Sequence, residues 1–438
     1  MTSIDSYIAE AERINAGRRR TDAEWVMRTR RDAIERFQSL GFPTTRDEEW
    51  RFTSVAPITG SRFALAHNGV AGLTADDIAP FRWPGEVAAT LVFVNGRYVA
   101  AASDIGKLPS GVRIESLGRA LAETPRDVEP HLTHVGPSDG RAFTALNTAF
   151  LADGAFVHVP PAAVVPAPIH LLFLTVGDEA ETMAHPRTLV VMGASSQASI
   201  VESYGAIRAQ RYFTNAVTEV AAAENATLDH YKVQRESPAS YHMAAMYLRT
   251  GRDTTVSSHS ISLGGSLVRN DILAVLDGEG TTCTLNGLYL TGGSRLVDNH
   301  TTIDHARPHC ASREVYKGIL ADHARAVFNG KIVVRPDAQK TDAKQTNKAL
   351  LLSADAQINT KPQLEIFAND VKCTHGAAVG QMDEEAIFYL RARGIGERDA
   401  RHVLIRAFAG DVLNHMPLAG LRASVERDLD RRLLEWRA

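Results

Sequence analysis

Residues 251–265, GRDTTVSSHSISLGG, and residues 278–293, GEGTTCTLNGLYLTGG, each place a Thr-Thr pair ahead of alternating residues and close on a glycine-rich end. Setting Thr254-Thr255 over Thr281-Thr282 gives an offset of 27 residues, within the range at which repeat units stack on their neighbours. A weaker echo runs through AVFNGKIVV (326–334) and DVKCTHGAAV (370–379). The repeat predicts a parallel β-helix, in which each coil bonds to the coils above and below and inward side chains stack into one long core. A β-sandwich is the alternative. The ends of a β-helix are open sheet edges, and a helical segment at each end is expected to cover them.

Outward from the repeat, short β-branched runs broken by Gly, Asn, Ser and Pro begin at Gly154 (GAFVHVP, PIHLLFLTV, RTLVVMGASSQASIVESYG) and show no helical period. The fold class expected is mainly β, with helical or mixed N-terminal and helical C-terminal flanks. The divisions are 1–60, helical; 61–150, small and mixed α/β; 151–380, the β-helix core; and 381–438, helical. In the first, a capping box of Thr21 with Glu24 opens an amphipathic helix bearing Val26, Ala33, Ile34 and Phe37, and Gly41 and Pro43 close it. In the second, Asn95-Gly96 predicts a tight hairpin, because both residues accept positive φ, and a short helix follows at IESLGRALAET. In the last, Asp383 caps one helix, Gly394 and Gly396 break it, and the next carries Ala400, Val403, Leu404, Ala407 and Phe408 on one side. A third helix ends the chain.

The 438 residues are 44% apolar and 23% charged, the profile of an ordinary soluble protein. With 48 Lys and Arg against 51 Asp and Glu, no long-range field draws the molecule to nucleic acid or to an anionic membrane. The three cysteines, Cys283, Cys310 and Cys373, form neither a disulfide framework nor a zinc pattern. A reducing cytoplasm is the expected location, since Asp5, Glu10 and Glu12 stand where a leader would be basic or apolar.

No Walker A sequence, dinucleotide turn or nucleophile elbow is present. Two segments offer metal-ligating residue types. In VDNHTTIDHARPHCASREVYKG, His300, Asp304, His305, His309 and Cys310 lie close together, but at no spacing with a stereochemical rationale. The competing reading places them at coil corners and on a polar face. In DVKCTHGAAVG, Cys373 and His375 alternate along a strand and so share one face, where thiolate and imidazole suit iron or zinc. Lys372 is expected to favour the thiolate and Asp370 to be the nearby carboxylate. Two ligands do not complete a site, so the others have to come from elsewhere, plausibly another chain. The bland alternative is a buried cysteine beside a hydrogen-bonded histidine.

The segments AQKTDAKQTNKALLLS, KPQLEI and DVKCTHGA closely resemble the SufB/SufD family of iron-sulfur cluster assembly proteins, and GFPTTRDEEWRFT and LNTAFLADGAFVHVP extend the likeness over nearly the whole chain. GFPTTRDEEWRFT is more similar to the SufD branch than to SufB. The resemblance implies a right-handed parallel β-helix and a non-catalytic scaffold subunit that pairs with SufB through the β-helix and binds the SufC ATPase through its C-terminal helices. It maps SufC binding to residues 383–415, with Phe388, Leu390, Arg391, Ile395, Val403 and Phe408 as contacts. It also maps a cluster-facing role onto His375, with Cys373 beside it. A transient cluster or iron would sit at the subunit interface, with no cofactor intrinsic to the isolated chain, and two copies could pair through the same surface. Asp370, His305, His309 and Cys310 remain weaker candidates. Asn369 stands where many relatives carry an acidic residue. The competing functions are a carbohydrate-active enzyme on a β-helix, and a SufB-like subunit accepting sulfur on Cys283 or Cys310. The first should show acidic and aromatic residues at coil spacing, but aromatics are only 7% of the chain.

Overall fold

The structure, a computed structural model, describes residues 3–18, 22–66, 73–83, 85–136, 140–177 and 181–436. The 27-residue offset is a hydrogen-bonding register: Thr255 pairs with Thr282 and Val256 with Cys283 in the parallel strands Thr255–Ser262 and Thr282–Thr291. Successive strands alternate between two 11-stranded sheets, so each coil gives one strand to each. The offset varies from 26 residues, Tyr241 to Leu267, up to 33, Gly154 to Arg187, with the slack taken up at the corners. Parallel pairing through every coil rules out the sandwich, whose sheets are antiparallel. The weaker echo is not a coil-to-coil match, because its two segments fall in strands Arg325–Val334 and Lys372–Gln381 of opposite sheets.

One corner explains why the repeat is visible. Ser195, Asn225, Asp253, Gly280, His309 and Lys340 all have positive φ, and each precedes a strand of the second sheet by two residues. Each donates its N–H to a carbonyl of the next coil's corner, as Asp253 does to Glu279 at 2.7 Å and His309 to Gln339 at 2.9 Å. Where the residue that follows carries a hydroxyl, it staples the turn with a side-chain bond. Thr254 donates to Gly251 O at 2.9 Å, Thr281 to Gly278 O at 3.0 Å and Thr341 to Ala338 O at 2.8 Å. The first threonine of each Thr-Thr pair is this staple, satisfying a carbonyl that the turn takes out of the ladder.

The sheets begin before Gly154. Strand Ala89–Val94 lies parallel to Ile169–Thr175 in the second sheet, and Arg113–Ser116 pairs antiparallel with Gly154–Val159 in the first. Asn95 (φ 51°) and Gly96 (φ 75°) make the expected hairpin, and Ser116 caps the short helix Leu117–Glu123. The amphipathic helix runs Glu24–Leu40 from an N-cap at Ala23, ends at Gly41 (φ 65°) and buries Val26, Ala33, Ile34 and Phe37 together with Arg30. Thr21 of the expected capping box lies outside the described residues.

At the other end, Asp383 Oδ1 accepts from the N–H groups of Glu385 and Ala386 at 2.9 and 3.2 Å and opens helix Glu384–Arg391. Gly394 takes φ 86° and Gly396 caps the next helix, Glu397–Leu413. That helix buries Ala400, Ile405, Ala409 and Val412, rather than the Val403, Leu404 and Ala407 side read from periodicity. Apolar residues on both sides of the helix leave the period without a unique face. With Ala419–Glu435 it packs on the outer face of the second sheet, against Tyr231, Val233, Ile261, Leu288 and Ile319. The helices therefore cover a face, and among the described residues none forms the expected cover over the last strands: Lys372–Gln381 is exposed along almost its whole length.

The segment GFPTTRDEEWRFT is tied to the outer face of the first sheet by a buried ion cluster. Arg269 donates to Asp271, to Asp298 at 2.9 Å and to Glu49 O at 2.7 Å, and its guanidinium lies 3.7 Å from the centre of the Trp50 ring. His300 bridges Asp298 (2.9 Å) and Glu49 (3.1 Å). Burial alone would lower the His300 pKa, but Asp298, helped by the Glu49 hydrogen bond, raises it to about 9. The charged imidazolium is thus favoured by folding. Its contribution is complete below the ordinary imidazole pKa of about 6.5 and is lost as pH rises through about 9. We expect thermal stability to fall by the equivalent of about 2–3 kcal/mol between pH 6.5 and 9.5 from this group. His300→Gln should be less stable at pH 6.5 and should flatten the profile, as read by thermal unfolding across that range.

Candidate functional site

The candidate site is the uncapped C-terminal mouth of the β-helix. Strand Gln357–Ile366 ends the first sheet and Lys372–Gln381 the second, each paired along one edge only. Cys373 stacks in register over Ala343, and His375 over Gln345. Half-buried Cys373 packs with Ile332, Val334, Ala338 and Ala343, so it points inward. His375, two residues on, shares that face and is exposed because no coil lies above it. The pair expected from sequence is therefore brought to one face, at the last rung of the core.

Beneath the mouth the inward face is polar. Gln345 Nε2 donates to Glu314 Oε2 at 2.7 Å, and Asn347 Nδ2 to Thr360 Oγ1 of the facing sheet at 2.8 Å. Burial, against hydrogen bonds from Thr301 and Gln345, pushes the Glu314 carboxyl up to about 7. Around the rim Ile366, Phe367 and Val379 are exposed, Phe367 by 62%. Sequence reasoning missed both sets. Alternation along DAKQTNKALL marks Gln345 and Asn347 as inward, a signal available before the structure.

The thiol of Cys373 is less acidic than the sequence led us to expect. Burial pushes its pKa up and Asp342 adds to this, while a backbone hydrogen bond from Ala343 opposes it. Lys372 lies on the other face and does not reverse the balance. The carboxylate of Asp370 pairs with Lys340, and its N–H donates to Gln339 Oε1 at 2.9 Å, so it serves the corner rather than the mouth.

The second cluster is dispersed. His300 belongs to the N-terminal clamp. His305 is fully buried, bonded through Nε2 to Ser312 Oγ at 2.9 Å, and burial pushes its pKa down to about 4. His309 is a corner residue with φ 59°, exposed and 3.9 Å from Glu279. Cys310 occupies the staple position held by threonine in other coils, its Sγ donating to Gly278 O at 3.2 Å. Asp304 pairs with Arg335 on the surface. Among the described residues no three His, Cys, Asp or Glu side chains are grouped to hold a metal ion. Cys283 is buried and its thiol is pushed up to about 12.

On the C-terminal helices, Phe388 is 73% and Val403 48% exposed, Arg391 is exposed, and Leu390 and Ile395 are half-buried. Tyr389, which the sequence reading did not single out, is 56% exposed beside Phe388. Phe408 turns toward the sheet. Lys317 Nζ donates to Phe408 O at 2.9 Å, lies 4.3 Å from its ring centre and pairs with Asp411, locking the helix to the β-core.

The family model for the SUF system FeS cluster assembly SufBD core domain matches residues 173–408, and that for the SufBD protein N-terminal region matches residues 1–171. An iron-sulfur cluster assembly SufBD family protein of Synechocystis sp. is 37% identical over 416 residues, covering 93% of this chain and 91% of its own. The iron-sulfur cluster assembly protein SufD of Escherichia coli is 33% identical over 403 residues, covering 91% of both chains.

These environments order the three thiols by access. Treating the folded chain with a maleimide and locating the adduct by peptide mass spectrometry should give modification at Cys373 first, with Cys283 and Cys310 reacting only on unfolding. Equal labelling of all three in the native protein would contradict the burial described.

Proposed function

Because the chain belongs to the SufBD family of SUF-system iron-sulfur cluster assembly proteins and is SufD-like, we propose that it is a non-catalytic scaffold subunit that pairs with SufB through the open end of its β-helix. The observation that carries this reading is the uncapped mouth, where two strand edges run beside exposed Ile366, Phe367 and Val379 and the inward rung bears Cys373 and His375. Unpaired edges of this length favour strand addition, and exposed apolar residues beside them favour burial. Iron or a nascent cluster is the cargo held there, with His375 and secondarily Cys373 as this chain's contribution and SufB supplying the remaining ligands. The reading places the protein in the cytoplasm. In isolation a second copy takes the same edge.

SufC docks on the C-terminal helices, where Phe388, Val403 and Arg391 stand clear of the β-core. Its ATP hydrolysis reaches the mouth through the helix that Lys317 locks to the second sheet. The carbohydrate-active alternative falls with family membership. Direct sulfur acceptance on Cys283 or Cys310 is disfavoured because both thiols are buried and their pKa values raised, whereas an acceptor needs an accessible thiolate.

Co-expression with SufB and SufC, followed by purification without oxygen, tests both surfaces. His375→Ala should co-purify at native stoichiometry and yield at most about a tenth of the native iron-sulfur absorbance, the loss typical of removing a ligand-side group. Normal cluster yield would overturn the site. Phe388→Asp with Val403→Asp should abolish co-purification of SufC and retain SufB. Undiminished SufC recovery would remove the helices from that role.

A further inference from the structure

The polar rungs below the mouth form a column aimed at His375. Glu314, Gln345 and His375 occupy one register position in three consecutive strands of the second sheet. Strands in such a ladder lie about 4.8 Å apart, so side chains on one face stack directly. Glu314 and Gln345 are 1% and 2% exposed. With Glu314 ionised, the bond from Gln345 Nε2 to Glu314 Oε2 sets which end of the amide points down the column, because a carboxylate only accepts and so takes the NH₂ and not the carbonyl. Gln345 Oε1 is left buried and without a partner, on the residue one rung below His375 in register. A buried amide oxygen lacking a donor is costly, and His375 is the donor-bearing side chain in register above it. The facing strand, Gln357–Ile366, brings Ile358, Thr360, Pro362 and Leu364 inward, and Thr360 already accepts from Asn347.

We propose that Gln345, anchored by Glu314, is the positioning residue of His375: its Oε1 accepts the hydrogen of one ring nitrogen and so leaves the other as the sole lone pair presented at the mouth. Outer-shell acceptors that fix the tautomer and orientation of a histidine are the usual companions of metal-binding imidazoles. Here the carboxyl acts through an amide instead of directly, which keeps the charge one rung deeper in the core. The purpose of the device rests on the cluster-facing role proposed above for His375. Its test does not.

The full chain, without partners or metal, is labelled with ¹⁵N-histidine, and long-range ¹H–¹⁵N spectra are recorded at about pH 8.5, two units above the ordinary imidazole pKa. His375→Ala identifies the signals. In the native protein His375 should show one tautomer. Gln345→Met keeps the volume and removes the acceptor, and should raise the minor tautomer severalfold. Glu314→Gln keeps an acceptor for the Gln345 N–H and should retain the native spectrum. Should Gln345→Met not fold, Gln345→Asn withdraws the carbonyl by one carbon and should give the same mixture. Native His375 shifts in a folded Gln345→Met or Gln345→Asn protein overturn the proposal, as does an even tautomer mixture in the native chain. A purely structural role for Gln345 would alter stability and leave the tautomer untouched. Normal cluster yield in His375→Ala would sink the functional reading while leaving this spectrum to be judged by itself.

Discussion

Everything in this molecule depends on the parallel backbone ladder from coil to coil. Once Thr255 is held against Thr282, every residue of a strand has a fixed neighbour one coil away, and the side chains sort into inward and outward columns with no further freedom. A one-residue slip would turn the apolar column Leu228, Val256 and Cys283 to solvent and bring the half-buried polar column Asp229, Ser257 and Thr284 into the core. Register errors are therefore excluded by burial, and the left-handed corner repeats the instruction coil after coil. The same ladder cannot terminate itself. At the N-terminal end Ala89–Val94, with its own antiparallel hairpin partner, and Arg113–Ser116 close the two sheets; at the C-terminal end nothing among the described residues does.

That asymmetry shows which parts of the fold a sequence can reveal. The repeat is legible because its staple has a chemical requirement, a short side chain with a hydrogen to donate, met by Thr254 and Thr281, while Cys310 in the same position donates to Gly278 O of the preceding coil, as Thr281 also does to Gly251 O. Seen locally, Cys310 looks like a possible ligand; seen in its column, it replaces a threonine. His309 is likewise a corner residue whose neighbours above and below are Gly280 and Lys340, and neither is a ligand type that a metal-binding column would use. Helix caps, the Asn95-Gly96 hairpin and the Cys373-His375 face were legible for the same reason: each depends on residues within a few positions of one another.

What was not legible depends on distant partners. Ala89–Val94 pairs with a strand 80 residues later, so its membership of the main sheet leaves no local trace. His300 is held by Glu49, 251 residues away in sequence, and its spacing to other histidines carried no hint of that. The packing side of Glu397–Leu413 was misjudged because apolar residues surround the helix, and only the sheet it meets selects Ile405, Ala409 and Val412. The depth of Cys373 belongs here too. Its sequence neighbour Lys372 suggested an acidic thiol, but alternation puts the two on opposite faces and burial decides the outcome.

The incompleteness of the mouth follows from the geometry. On the proposed reading, one thiol and one imidazole on the last inward rung fall short of the ligand set that iron in a cluster requires, and among the described residues no further rung stands above them. A small ligand bound at Cys373 and His375 would leave the strand edges and the ring of Ile366, Phe367 and Val379 exposed. A protein docking on the flank would cover neither the rung nor its ligands. Only a partner whose own strands continue the ladder meets all three demands, and its first inward rung then lands above Cys373 and His375 by the same register rule that built the coils below. On that reading, assembly of the complex and completion of the ligand set are one event, and motion that opens the junction releases the cargo. The polar column of Glu314 and Gln345 fits this arrangement. A residue at a rim must hold its orientation before the partner arrives, and the only rigid support available to it is the rung beneath.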